Sequence, residues 1–206
     1  MTGPRVAHAP PAGWSATAEL PKPKIADSAG ASLVAWSAHR SADGDAALVS
    51  GCVATPIPGW VEDMRPAVEG RTVALAGASA AAITGAPVDA RPGADGIFEL
   101  RAVSELAGPP IGHARTFVGF DDARVLTCFA TCVGTRATPS PRACDASVVA
   151  ARLEGSSPPP AAGLALRGAT WAVHHPRPTA LGAGALAATL AVVALVTRRR
   201  PRSRIA

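Results

Sequence analysis

The feature that most limits how this chain can fold is a run of nineteen uncharged residues, 179–197, followed directly by Arg198, Arg199, Arg200, Arg202 and Arg204. A helix of that length rises about 28 Å, close to the hydrocarbon thickness of a bilayer, and it satisfies its own backbone polar groups there. The run predicts one C-terminal transmembrane helix, with the bilayer as a first partner and the basic tail at the lipid headgroups. Trp171 suits the interfacial aromatic belt before the span, and Arg198, Arg199 and Arg200 flank its far end. Inside it, Ala180, Gly184 and Ala188 form a row of small residues through which two copies can pair as a homodimer.

The same division explains the charge. The formal net charge is +5, but all fifteen acidic residues precede the span and five of the twenty basic ones follow it, so residues 1–178 are neutral. A neutral domain lacks the basic face that counterion release from a phosphate backbone requires. With 4% aromatic residues and no tyrosine, it also offers few stacking platforms, so nucleic acid is not expected as a partner.

Two rules disagree on the side of the membrane. Clustered arginines prefer the cytoplasm, which places residues 1–178 outside. The first fourteen residues contain no apolar core of a secretion signal, which tips the expectation to a tail-anchored protein with a cytoplasmic domain. The apolar helix with its arginine cluster resembles the C-terminal sorting segments of exported bacterial proteins of the PEP-CTERM type over the last thirty residues. Residues 175–180 do not carry the short motif of those segments.

The remainder divides into a Pro- and Ala-rich, loose N-terminus over 1–12, a globular domain over 13–155, and a Pro/Ala-rich linker over 156–178. The anchor follows over 179–197, and the basic tail over 198–206. In the domain, runs at 13–20, 32–40 and 46–55 read as three strands. Pro66 opens a long helix with Val73, Ala76, Ala80 and Ile83 on its inner face, and Gly85 and Pro87 stop it. Runs at 97–106, 113–120 and 124–133 read as an antiparallel meander. The last is apolar on both faces, so it belongs at the centre of the sheet with a helix on at least one side. Asp145 is expected to cap a short final helix over 146–154, with Val149 and Leu153 inward.

The expected class is α+β: an antiparallel sheet packed by one long and one short helix, plus the transmembrane helix. This order of elements, from Trp14 to Glu154, resembles the PsbP-like domain. The resemblance implies a binding or accessory module rather than a catalyst.

Four cysteines, Cys52, Cys128, Cys132 and Cys144, carry the remaining chemistry. Cys128 and Cys132 are four apart on one strand face, roughly 13 Å from each other, too far for a mutual disulfide. In an exported domain Cys132 is expected to pair with Cys144 across a loop, and Cys52 with Cys128 from a neighbouring strand. In a reducing cytoplasm all four are small buried hydrophobes. An extended strand splays the sulfurs at 128 and 132, which disfavours zinc, and no CxxC pair supports redox chemistry.

Histidines 8, 39, 113, 174 and 175 are scattered, and Ser50 and Ser79 lack the glycine elbow of a nucleophile. Phosphate loops, metalloprotease motifs and paired carboxylates are absent from the sequence. Thus no catalytic residue, metal site or cofactor is assigned. The expected function is a membrane-anchored, non-enzymatic module that binds a protein or lipid partner near the bilayer. The alternatives are a tethered enzyme with a dispersed, thiol-based site and a structural envelope protein.

Overall fold

A computed structural model describes residues 3–23, 25, 30–134 and 140–174. The expected span 179–197, its row of small residues and the arginine tail lie outside the described residues. Among those described, no helix is long and apolar enough to cross a membrane.

The chain forms nine strands and three helices among the described residues: β1 (Arg5–Ala7), β2 (Ser15–Ala16), β3 (Ser32–Arg40), β4 (Ala46–Pro56), α1 (Arg65–Thr84), β5 (Val88–Pro92), β6 (Ile97–Ala102), β7 (Gly112–Asp121), β8 (Arg124–Gly134), α2 (Arg142–Val149), β9 (Arg152–Glu154) and α3 (Leu164–His174). Seven strands build one sheet in the order β2-β3-β4-β8-β7-β6-β5, every neighbouring pair antiparallel. β1 and β9 form a separate two-stranded ribbon. The α+β class with an antiparallel sheet stands. β8 occupies the centre, as a strand with two apolar faces must.

The two faces of β4 and β8 are covered by different elements. On one face Ala47, Val49, Phe129 and Val133 pack with Ala76 and Ala80 of α1. The buried side of α1 is made of small residues, Thr72, Ala76, Gly77, Ser79 and Ala80, which lets the helix lie close to the sheet. Its buried hydroxyls are satisfied inside the helix: Thr72 Oγ1 donates to the Val68 carbonyl at 2.8 Å and Ser79 Oγ to the Leu75 carbonyl at 2.9 Å. Gly85, at φ 71°, closes α1 in the left-handed conformation and donates its N–H to the Ala81 carbonyl.

One position on this face depends on having no side chain. Trp36, Gly51 and Phe129 are in register across β3, β4 and β8, and the two rings meet edge-on above the glycine with centroids 6.4 Å apart. A Cβ on Gly51 would come within 3.1 Å of Trp36 and 3.2 Å of Phe129.

On the other face Cys52, Ala54, Leu126, Cys128 and Ala130 lie under the β1/β9 ribbon, where Val6 and Leu153 join them. Beside them Leu48 and Cys132 lie under Cys144 and Val148 of α2.

Several boundaries differ from the expectation. Residues 5–7, expected to be loose, are fixed by pairing with β9 and by burial of Val6. Of residues 13–20, only Ser15–Ala16 are strand. Strand β5 was not anticipated, because Val88–Pro92 carries the charges and proline that propensity reads as loop.

The helix expected over 146–154 ends at Val149; it begins at Arg142 with Pro141, not Asp145, at its N-cap. Residues 152–154 leave it to pair with β1, since only an extended chain brings Leu153 onto the sheet face. Val149 is exposed as a result.

Residues 156–162, expected as part of a linker, are held on the domain. Phe120 N–H donates to Ser156 Oγ, Ser157 N–H to the Phe120 carbonyl, and Trp60 bridges to Ala161. The chain divides after Ala162, and the second unit contains α3, an 11-residue helix that includes Trp171. Leu164, Trp171 and Val173 are exposed on it.

Candidate functional site

All four cysteines are paired, Cys52 with Cys128 and Cys132 with Cys144. Cys52 and Cys128 are directly opposite in the β4–β8 register, with Cα atoms 4.1 Å apart. Cys132–Cys144 ties the start of α2 to the end of β8. The structure thus brings together the four cysteines in the two pairs considered for an oxidising compartment. None of the four is exposed, so they stabilise the core and do not present a thiol.

The polar groups that converge on the surface are others. β3 and β4 place Ser37, His39 and Ser50 on the ribbon face, with Ser37 and Ser50 in register. Ser50 interrupts an otherwise apolar row, Leu48, Cys52 and Ala54, and is itself almost fully buried. His8, just after β1, reaches over this row and its Nε2 lies 3.0 Å from Ser50 Oγ. The His8 and His39 rings stand perpendicular with centroids 5.7 Å apart. Ser37 Oγ lies 3.5 Å from His39 Nδ1, a long and weak contact. His8 Nδ1 is buried without a hydrogen-bond partner. Burial pushes the pKa of both histidines below the ordinary imidazole value, and His39 adds to the effect on His8. Both shifts favour the neutral rings.

These residues line an open cleft of about 630 Å³ between the ribbon and the outer part of β3, with Val34 and Trp36 among its walls. A second cleft, about 540 Å³, borders Trp36–His39 of β3 together with Ala16, Thr17 and Lys22. Between the clefts runs the edge of the sheet. β2 covers β3 only at His39 and Arg40, with one further bond from Thr17 N–H to the Ala38 carbonyl. Antiparallel pairing alternates every two residues, so the Trp36 backbone groups also point outward. Among the described residues no strand pairs with that side of Leu33–Ser37, and residues 32–37 carry no charge. A bulge at Val34 turns both Val34 and Ala35 toward the ribbon-side core.

A second cluster lies at the other end of the ribbon face. The Cys132–Cys144 bond draws the first turn of α2 over β7, which carries Asp145 onto His113. His113 Nδ1 lies 2.9 Å from Asp145 Oδ1, an ion pair rather than an aligned N–H···O bond. Ser140 Oγ donates to the same carboxylate oxygen at 2.6 Å. Contact with the Asp145 carboxylate raises the His113 pKa above the ordinary value, against the effect of burial and with help from Glu99. Glu99 is itself held low by its bonds to Arg101. This pair braces α2 on the sheet.

No group of three or more His, Cys, Asp or Glu converges to hold a metal ion among the described residues. No protein-family model, curated protein or solved structure matches this chain.

Ser50 left a trace in the sequence that could have been read, since it is a polar residue in a strand row whose other members, Leu48, Cys52 and Ala54, are apolar, and Ser37 and His39 alternate with apolar residues on β3. His8 left none: it arrives from a segment with no periodicity, placed only by the pairing of β1 with β9.

Proposed function

We propose that this protein is a membrane-tethered, non-enzymatic module whose domain stands in an oxidising compartment and takes up an extended segment of a protein partner along the outer edge of β3. The observation that carries the reading is the uncharged, half-buried stretch Leu33–Ser37, whose outer side no described strand pairs and whose Trp36 and Ser37 border a cleft on each side. An added strand gains main-chain hydrogen bonds from the edge, and its alternate side chains enter the two clefts, which supplies affinity and specificity together. Two buried disulfides favour the oxidising side, which is also where the arginine cluster places residues 1–178 when it stays in the cytoplasm. Thr179 to Thr197 serves as the tether in this reading.

The test is selection of random seven-residue peptides on the full-length protein in detergent, followed by hydrogen exchange of the complex. Enriched peptides are expected to protect the Trp36 amide, to lose at least about tenfold in affinity to S37K, and to bind D89K as they bind the parent. Protection elsewhere, or equal binding to S37K, removes the proposal. Thiol-independent protease protection of intact cells tests the side of the membrane. Digestion of residues 1–162 only after the membrane is opened from the cytoplasmic face would count against the oxidising placement.

A further inference from the structure

The groups left unexplained by a peptide-binding edge are His8 and His39. They come from a terminal ribbon and a sheet strand, yet their rings stand 5.7 Å apart at 88°. Each has one ring nitrogen next to a serine hydroxyl, His8 Nε2 at Ser50 and His39 Nδ1 at Ser37. That leaves His8 Nδ1 and His39 Nε2 for other contacts. The first of these is buried and has no hydrogen-bond partner, a state that native interiors rarely tolerate without a reason.

We propose that His8 and His39 form a two-imidazole site for a late first-row transition-metal ion, bound through His8 Nδ1 and His39 Nε2, with its remaining coordination positions open to the cleft. The geometry fits in magnitude. Metal–nitrogen bonds of about 2.0–2.1 Å place an ion roughly 3.2 Å from each ring centre, and two rings sharing it at ordinary angles then have centroids roughly 5–6 Å apart. Ser50 holds the opposite nitrogen of His8 at 3.0 Å, the arrangement by which outer hydroxyls or carbonyls orient ligating histidines, while Ser37 stands beside that of His39 at a longer 3.5 Å. The neighbouring cation, Arg5, is occupied by Glu154 at 3.3 Å, and Arg152 by the same carboxylate at 3.1 Å. The cysteines, all in disulfides, offer no competing thiolate. Imidazole ligands with open positions favour Cu2+ over Zn2+ by the usual order of affinities.

The experiment is a Cu2+ titration of the full-length, chelator-stripped protein in detergent, in an H174N/H175N background so that the adjacent pair cannot contribute. One ion per chain is expected, with two-nitrogen coupling in the electron paramagnetic resonance spectrum. H8N and H39N are each expected to weaken binding at least tenfold, S50A about tenfold through ring orientation, and H113N not at all. Near-UV circular dichroism of Trp36 shows that each variant is folded, and H39N serves as the decisive variant should H8N fail to fold. Equal affinity in parent and H39N overturns the proposal, as does less than a tenth of an ion per chain at tens of micromolar Cu2+. Because peptide capture reads a different observable, the two proposals fail separately.

Discussion

The two edges of the seven-stranded sheet are built on opposite principles. β5 is five residues long, carries Asp89 and Arg91 joined at 2.9 Å, and ends in Pro92. Charge, shortness and proline are the devices by which sheets discourage pairing with another chain. β3 is nine residues long, and its first part, 32–37, is uncharged, with clefts bordering it at Trp36 and Ser37. Only the bulge at Val34 interrupts it. Among the described residues the sheet guards the β5 edge with charge and leaves the outer side of Leu33–Ser37 without a pairing strand, the asymmetry on which the proposed use of β3 rests.

The comparison can be broken most severely from behind. Behind β3, the strand it leans on, β4, is locked to β8 by Cys52–Cys128. With a separation of 76 residues, loss of that bond in C52A/C128A is expected to cost about 4–5 kcal/mol by chain entropy, against about 3 kcal/mol for C132A/C144A with its separation of 12. Urea unfolding of both double variants measures the difference, and equal losses would show that the central staple has no special weight.

Next in size is Gly51, over which the Trp36 and Phe129 rings meet. G51A is expected to cost about 1–3 kcal/mol by overpacking, and to enhance hydrogen exchange along β3 but not along β5. A neutral result would mean that the outer strand is not held by that ring pair.

The edges themselves can be exchanged. D89A/R91A removes the protection of β5 and is expected to raise self-association in sedimentation velocity by several-fold, whereas S37K on β3 lowers any association of the parent. Should D89A/R91A stay as dispersed as the parent, charge is not what guards β5.

The smallest effect sharpens the contrast away from the edges. The folded-state pKa of His113 is raised by Asp145, so its contribution is fully present below the unfolded value of about 6.5 and is lost as pH rises through the folded value. H113N is expected to lower stability by about 0.5–1 kcal/mol at pH 5.5 and by nearly nothing at pH 9. Thermal melts at both pH values decide it, and a pH-independent loss would assign His113 to packing instead.

The core strands were legible because their signal is local. Residues 124–133 alternate two apolar sets, which only a strand buried on both sides can use, and Gly85 marks the end of α1 because a left-handed turn favours a residue without Cβ. The short elements were not legible. Asp145 resembles a helix cap and is instead drawn to His113, while Arg152–Glu154 resembles the tail of a helix and is instead a strand. In both places a distant partner outweighed local propensity, by a disulfide in one case and by the N-terminal segment in the other.

By itself, then, the order of residues determined the α+β class, the central strand, the long helix and the neutrality of residues 1–178, since each follows from periodicity or from counting charges. Only the tertiary structure decided which strand side lacks a partner among the described residues and which histidines meet. An edge is defined by what fails to pair with it, and His8 reaches His39 only because β1 finds β9 at the far end of the domain.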